Sequence, residues 1–84
     1  MNLNDIQQSL IAKVSEKFNP ENNLVITDST NISHDLNLDS LQLMELVAEI
    51  EDSYSVSVPM ENIGTIRTIS DAAKLVHSLL KGKN

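Results

Sequence analysis

Apolar residues recur at helical spacing in three separate stretches of this 84-residue chain, and this pattern limits the folds that it can adopt. The first stretch is Leu3–Phe18, and Asn19-Pro20 ends it. The second covers roughly residues 40 to 52 and the third roughly residues 69 to 80. Together with one short helical turn at Met60–Ile63, they predict an all-α protein, a four-helix bundle of three longer helices and one short helix.

Residues that cap helices stand before the second and the last stretch. Asp39 precedes the second, with Gln42 three residues later, which is close to a capping-box arrangement. Thr68 precedes the last, with Asp71 at the matching position. Both helices therefore have a locally encoded start.

The connections between the helices differ in kind. Residues 19 to 38 mix turn formers with apolar residues, which predicts a long loop held onto the core. The expected anchors of this loop are Leu24, Val25, Ile26, Ile32, Leu36 and Leu38. Ser55–Val58 alternates like a strand but has no evident pairing partner and precedes Pro59, so we expect an extended linker that buries Val56 or Val58.

The charge of the chain is strongly acidic and unevenly placed. Twelve acids against six bases give a formal net charge of −6, and no Lys or Arg stands between Phe18 and Ile66. Nucleic acids and anionic membrane surfaces attract clustered cations, so neither is an expected partner. The acidic stretch indicates either a docking surface for basic partners or a solvated surface that keeps the domain soluble.

Other classes of protein are also disfavoured. The chain has no cysteine, which excludes disulfides and thiolate metal sites. It shows neither the start of a signal peptide nor a stretch of membrane-spanning length, so we expect a cytoplasmic protein without a membrane span. A chain this short has little room for both a core and an engulfing substrate cleft. We therefore expect a single, monomeric, non-enzymatic domain over residues 1–84.

The second helix carries two apolar faces. One is an ordinary core stripe, formed by Leu43, Leu46, Val47 and Ile50. At about 100° per residue, the other face lies opposite, and it is formed by Leu41, Met44 and Ala48. Acidic residues surround this second face: Glu45, Glu49, Glu51 and Asp52. It either packs against the long loop or is exposed for contact with partners, and the acidic rim favours contact.

Ser40 stands at the start of this helix. The residues around it match neither a calcium-binding loop nor the nucleophile of a hydrolase. The run Asp35-x-Asn37-x-Asp39 opens like a calcium loop, but Ser40 replaces the glycine of that loop and Leu46 its final glutamate. A hydrolase elbow would place glycines where Leu38 and Gln42 stand. Neither histidine, His34 in the loop or His77 in the last helix, is placed as an evident catalytic base. We therefore predict no catalytic residue and no metal site.

Ser40 is better suited to carry a phosphate. A phosphodiester on its hydroxyl would lie beside the unpaired N–H groups of the helix start, where a negative charge gains about 0.3 to 1 kcal/mol. Asp39-Ser40-Leu41, preceded by Asp35-Leu36-Asn37-Leu38 and followed by Met44-Glu45-Leu46-Val47, resembles the attachment motif of acyl carrier proteins. The resemblance extends over nearly the whole chain.

This resemblance implies a function. In that family a phosphopantetheinyl transferase moves 4′-phosphopantetheine from coenzyme A onto the serine, and the thiol of the arm then holds acyl or aminoacyl groups as thioesters. By resemblance Ser40 is the modified residue and Asp39 helps to engage the transferase and its metal. Partner enzymes for loading and synthesis, with basic docking surfaces, would contact the second helix at Leu41, Met44, Glu45, Ala48 and Glu49.

Two positions depart from the fatty-acid type. Asn37 replaces a common glycine, and Gln42 replaces a common acid. These departures favour a freestanding carrier of a dedicated polyketide, nonribosomal-peptide or lipid pathway. A housekeeping carrier of fatty acid synthesis and an unmodified acidic interaction module are the alternatives, with a small hydrolase a third.

Overall fold

The computed structural model describes residues 2–19, 21 and 24–82, and most of this part is helical. The helices are α1 (Leu3–Phe18), α2 (Ser40–Tyr54), α3 (Met60–Ile63) and α4 (Ile69–Lys81). Within the described ranges no strand forms, and the only β-type pairing is an isolated antiparallel bridge between Asn31 and Thr68. The predicted four-helix, all-α architecture is confirmed.

Local polar contacts start α1 and α4. The Asp5 N–H donates to Oδ1 of Asn2, at 2.8 Å, before the first turn of α1. Thr68 and Asp71 form the predicted capping box: the Asp71 N–H donates to the Thr68 hydroxyl oxygen and the Thr68 N–H donates to Asp71 Oδ2, both at 3.1 Å. The N–H of Thr68 is the main cause that lowers the pKa of Asp71 below its ordinary value of 3.8.

The core is apolar and draws on α1, α2, α4 and the connections between them. The backbones of α1 and α4 run close together over the greatest length, and the small buried side chains of Ala72 and Ala73 leave room for this approach. The buried apolar residues are Ile6, Leu10, Val14, Ile32, Leu46, Val47, Ile50, Tyr54, Val58, Ile66, Ile69, Ala72, Ala73 and Val76. Helix α3 contributes none of them.

The start of the long loop is not anchored by the residues that the sequence predicted. Ile32 is fully buried, and Ile26, Leu36 and Leu38 pack partly against the core, as expected. Leu24 and Val25, however, are 45% and 89% exposed, so their prediction as anchors is wrong. The side chain of Asn19 holds this part of the loop instead, because its Nδ2 donates to the Leu24 carbonyl at 2.8 Å and its Oδ1 accepts the Leu24 N–H at 3.3 Å.

The linker after α2 forms no strand and buries Val58, as predicted, but its first residue, Ser55, is left-handed with φ of 54° rather than extended. Helix α2 runs two residues past the predicted end, to Tyr54, whose hydroxyl donates to Oγ of Ser9 on α1 at 2.8 Å. Glu51 was expected on the acidic rim, but its carboxylate accepts the N–H of Val58 at 2.8 Å. Glu51 therefore ties the linker to α2.

Candidate functional site

Ser40 is the first residue of α2, and it is exposed. The N-cap residue before it is Asp39, whose Oδ1 accepts the N–H of Gln42 at 2.8 Å. Gln42 completes the box, since its Oε1 accepts the N–H of Asp39 at 3.2 Å. The predicted cap is thus present in reciprocal form, and it holds the backbone on both sides of Ser40.

The turn before the helix depends on a left-handed residue. Asn37 has φ of 53°, a region that asparagine tolerates better than most residues. Directly after it, the N–H of Leu38 donates to the carbonyl of Ser33 at 3.2 Å. This closed turn sends the chain from the loop into the first turn of α2.

The helix start offers free hydrogen-bond donors beside the Ser40 hydroxyl. The N–H groups of Gln42 and Leu43 are satisfied by Asp39, through its carboxylate and its carbonyl respectively. The N–H groups of Ser40 and Leu41 have no acceptor among residues 2–19, 21 and 24–82. A phosphodiester on Ser40 fits this position, because it is anionic and brings acceptor oxygens to the positive end of a helix.

An exposed surface, the outer α2 face, runs along the helix from this point, and we define it by Leu41, Met44, Glu45 and Ala48. All four are exposed, with Leu41 at 71% and Met44 at 44%. Leu41 is therefore not packed beneath the long loop, and Met44, for which the sequence left the same alternative open, keeps nearly half of its surface exposed. Glu49 lies beside this face and is half-buried, in a shallow cleft that it lines with Lys13, Glu16 and Lys17.

His34 and His77, the two histidines of the chain, are the residues that could act as a base at Ser40. His34 is exposed, and its Nδ1 lies 3.4 Å from Oδ1 of Asp35. The N–H of Asn31 lowers the pKa of Asp35 below its ordinary value, and His34 adds to this effect. In the described part of the chain, no hydrogen bond joins either histidine to Ser40 and no cluster of His, Cys, Asp and Glu side chains is arranged to hold a metal ion.

Comparisons with known proteins agree with this geometry. The family model described as "Phosphopantetheine attachment site" matches residues 8–76. The acyl carrier protein of Brachyspira hyodysenteriae is 38% identical over 63 residues, which is 75% of this chain and 81% of that protein. The acyl carrier protein of Rickettsia massiliae is 38% identical over 71 residues, or 84% of this chain and 81% of that protein. The crystal structure of an acyl carrier protein from Thermotoga maritima covers 100% of this chain and 96% of its own, with a TM-score of 0.78 at 23% identity.

The fold and the site thus define a small helical carrier with an attachment point. The chain belongs to the acyl carrier protein family. It is accordingly a carrier and not an enzyme, and its cofactor is covalently attached 4′-phosphopantetheine. Synthases and a phosphopantetheinyl transferase are the partners that the family implies. None of the described helices has the length and apolar character needed to cross a bilayer.

Proposed function

We propose that Ser40 is the residue that carries 4′-phosphopantetheine. The observation that carries this proposal is an exposed hydroxyl at the first position of α2, next to two backbone N–H groups without acceptors in the described part of the chain. The match to the attachment-site family also includes this position. In the described part of the chain neither His34 nor His77 makes a hydrogen bond to this hydroxyl, so nothing there favours the alternative of a hydrolytic nucleophile.

The modification is a phosphoryl-group transfer. A bond forms between Ser40 Oγ and the phosphorus that bears the pantetheine, and the pyrophosphate P–O bond of coenzyme A breaks. The hydroxyl proton passes to a base of the transferase, and adenosine 3′,5′-bisphosphate leaves. The thiol at the end of the attached group then holds acyl or aminoacyl groups as thioesters.

The residues around Ser40 serve recognition in this proposal. Asp39 keeps one carboxylate oxygen for the cap and offers the other to the transferase and its metal. The outer α2 face and the neighbouring Glu49 bind loading and synthase enzymes with basic surfaces. Exposed apolar centres with an acidic rim suit weak docking that is steered by charge and releases quickly.

The proposal also covers the pathway, the domain organisation, the oligomeric state and the location of the protein. The first turn of α2 contains no acidic residue, and Gln42 and Asn37 depart from the fatty-acid type. These features support a dedicated polyketide, nonribosomal-peptide or lipid pathway over housekeeping fatty acid synthesis. We also propose one carrier domain over residues 1–84, acting as a cytoplasmic monomer. Intact-mass analysis of protein from its native cell tests the pathway, since it weighs whatever is bound to the arm.

A transferase assay tests the attachment residue. Incubation of the apo protein with coenzyme A, magnesium and a broad-specificity transferase should add one phosphopantetheinyl mass, and Ser40→Ala should abolish this addition. Ser53→Ala is the matched control, because Ser53 is also exposed on α2, and it should gain the mass normally. An unmodified wild type, or a modified Ser40→Ala protein, would refute the proposal. If the chain were an unmodified interaction module, Ser40→Ala would bind partners as the wild type does.

A further inference from the structure

The shallow cleft between α1 and α2 lies beside the outer α2 face, and its charges differ from those of that face. Lys13, Glu16 and Lys17 line it from α1, and Glu49 lines it from α2. Its two positive and two negative side chains give it no net charge, on a chain whose formal net charge is −6. Residues 19–65 contain no Lys or Arg. Any cation beside α2 therefore comes from another part of the chain, and at this cleft it comes from α1.

The packing of α1 against α2 restricts the position of these lysines. Lys13 and Lys17 follow Ser9 at intervals of four residues, so the three lie in one row along α1. The Tyr54 hydroxyl donates to Oγ of Ser9 at 2.8 Å, which joins the row to α2 at its first residue. Lys13 and Glu49 are both half-buried, so neighbouring side chains limit their motion. A charge that is already positioned loses less entropy when it binds a partner.

The two lysines are not neutralised within the described part of the chain. No ion pair within 4 Å joins either of them to Glu16 or Glu49 there. Lys17 does make a contact, but with an uncharged group, since its Nζ lies 5.9 Å from the centre of the Phe18 ring. Both ammonium groups can therefore donate hydrogen bonds to a carboxylate of another protein.

An enzyme that acts on Ser40 is large enough to reach this cleft. Ser40 and Glu49 lie on the same helix, and the nine residues between the two positions correspond to about 13 to 14 Å along its axis. A standard interface buries about 800 Å² on each partner, and a patch of this area is about 30 Å across. A transferase that covers Ser40 and the outer α2 face would therefore also cover the cleft.

We propose that Lys13 and Lys17 bind carboxylate side chains of the phosphopantetheinyl transferase, while basic residues of the same enzyme bind the acidic side chains of α2. A surface of one sign does not match a cleft that carries both signs, whereas neighbouring acidic and basic side chains do. The two kinds of contact together fix the rotation of the enzyme about α2, and so its approach to Ser40. This inference rests on the proposed modification of Ser40 and extends the docking surface from α2 to α1.

The kinetics of loading test the sign of the charge effect. The wild type and Lys13→Glu are loaded at low salt by the transferase of the same organism, and kcat and KM are measured by intact-mass analysis. We expect kcat/KM to fall about three- to ten-fold through a higher KM, because an attraction of the size of an exposed ion pair becomes a repulsion. The value of kcat should not change, since the lysine does not touch the reacting atoms. The loss should shrink in about 0.5 M salt, which screens exposed charges.

Docking through the acidic face alone predicts the opposite result. Lys13→Glu adds an acid beside Glu49 and should then attract a basic enzyme more strongly. Lys74→Glu is the matched control, because Lys74 is exposed on α4, does not line the cleft and gives the same change in net charge. It should leave kcat/KM within about two-fold of the wild type. If Lys13→Glu weakens the fold in urea titrations, Lys13→Gln combined with Lys17→Gln removes both charges without adding repulsion and should lower kcat/KM about two- to ten-fold.

Cross-linking with a carbodiimide gives a direct readout, because this reagent joins an amine to a carboxylate that it contacts. The apo Ser40→Ala protein, which is not loaded under the proposed function, is mixed with the transferase and cross-linked. Mass analysis of the peptides should find Lys13 or Lys17 joined to an Asp or Glu of the enzyme. A transferase that is joined to Lys74 and to neither lysine of the cleft would contradict the proposed orientation.

The outcomes distinguish this inference from the proposed function. A wild type that gains no phosphopantetheinyl mass, from the broad-specificity transferase or from that of the same organism, refutes both. A wild type that is loaded normally, with an equal or higher kcat/KM for Lys13→Glu, overturns the role of the lysines alone. A loss that Lys74→Glu reproduces, or that lies in kcat, would also overturn it, because net charge or an altered attachment site would then be the cause.

Discussion

Leu41→Ala is the substitution that separates docking from folding most sharply. The Leu41 side chain is 71% exposed, so it contributes little to the core of the free protein. Complete burial of a leucine side chain is worth about 1.5 to 3 kcal/mol. A partner that covers the outer α2 face and buries Leu41 completely would therefore gain about 1 to 2 kcal/mol of binding free energy from the part of this side chain that is exposed in the free protein.

This free energy sets the expected kinetic effect. At about 1.4 kcal/mol for each factor of ten, Leu41→Ala should lower kcat/KM for loading by the transferase about 6- to 30-fold. The free energy of unfolding should change by less than about 0.7 kcal/mol, because alanine also favours the helix. The initial rate of loading is measured by intact-mass analysis. The stability of the same apo preparations is measured by urea unfolding.

A core residue of the same helix provides the contrast. Leu46 is 2% exposed, and Leu46→Ala should cost about 2 to 5 kcal/mol of stability. If Leu41→Ala destabilised the protein to a similar degree, Leu41 would belong to the core. If it left both stability and loading unchanged, the outer α2 face would not be the surface that the transferase covers.

Three further predictions concern the scaffold of the site. Tyr54→Phe should lower the free energy of unfolding by about 0.5 to 1.5 kcal/mol in urea titrations, because it removes the hydrogen bond to Ser9, whereas an unchanged value would deny that bond a role. Asn37→Gly should keep or raise stability and Asn37→Ala should lower it by about 1 kcal/mol, since φ is 53° there; equal effects of the two would contradict a left-handed turn. The folded-state pKa of Asp71 is lowered, so its carboxylate stabilises the fold above the ordinary pKa of 3.8 and this contribution is lost as the pH falls through the lowered value. The stability difference between wild type and Asp71→Asn should therefore shrink on acidification from about pH 5, and a pH-independent difference would refute this.

The features that could be predicted from the sequence are local ones. Helix starts follow from side chains that reach backbone groups three residues away, and both Asp39 and Thr68 cap as expected. The two faces of α2 follow from helical spacing alone, since Leu41 is exposed and Leu46 is buried. The exposure of Ser40 could also be predicted locally, because Ser40 is the first residue of a helix.

Side-chain contacts of the loop, of the linker and between helices could not be predicted from the sequence. Apolar character suggested that Val25 would anchor the long loop, but the amide of Asn19 holds that segment and leaves Val25 exposed. The bond between Tyr54 and Ser9 joins α2 to α1 across 45 positions, and no spacing rule reports such a pair. The sequence pattern also placed Glu51 on the acidic rim, whereas in the structure its carboxylate accepts the N–H of Val58.

The position of Ser40 depends on backbone contacts between the long loop and α4 as well as on its own cap. The long loop that leads to Ser40 is bound to the start of α4 by backbone hydrogen bonds: the Ile32 N–H donates to the Arg67 carbonyl at 2.7 Å, and the Ile69 N–H donates to the Thr30 carbonyl at 3.2 Å. Ile32 is fully buried beside them, so the loop cannot shift without opening the core. The cap orients the first turn of α2, and the tie to α4 places that turn on the bundle. Under the proposed modification of Ser40, the transferase meets an exposed hydroxyl that these contacts hold in place, and this lowers the entropy lost on docking.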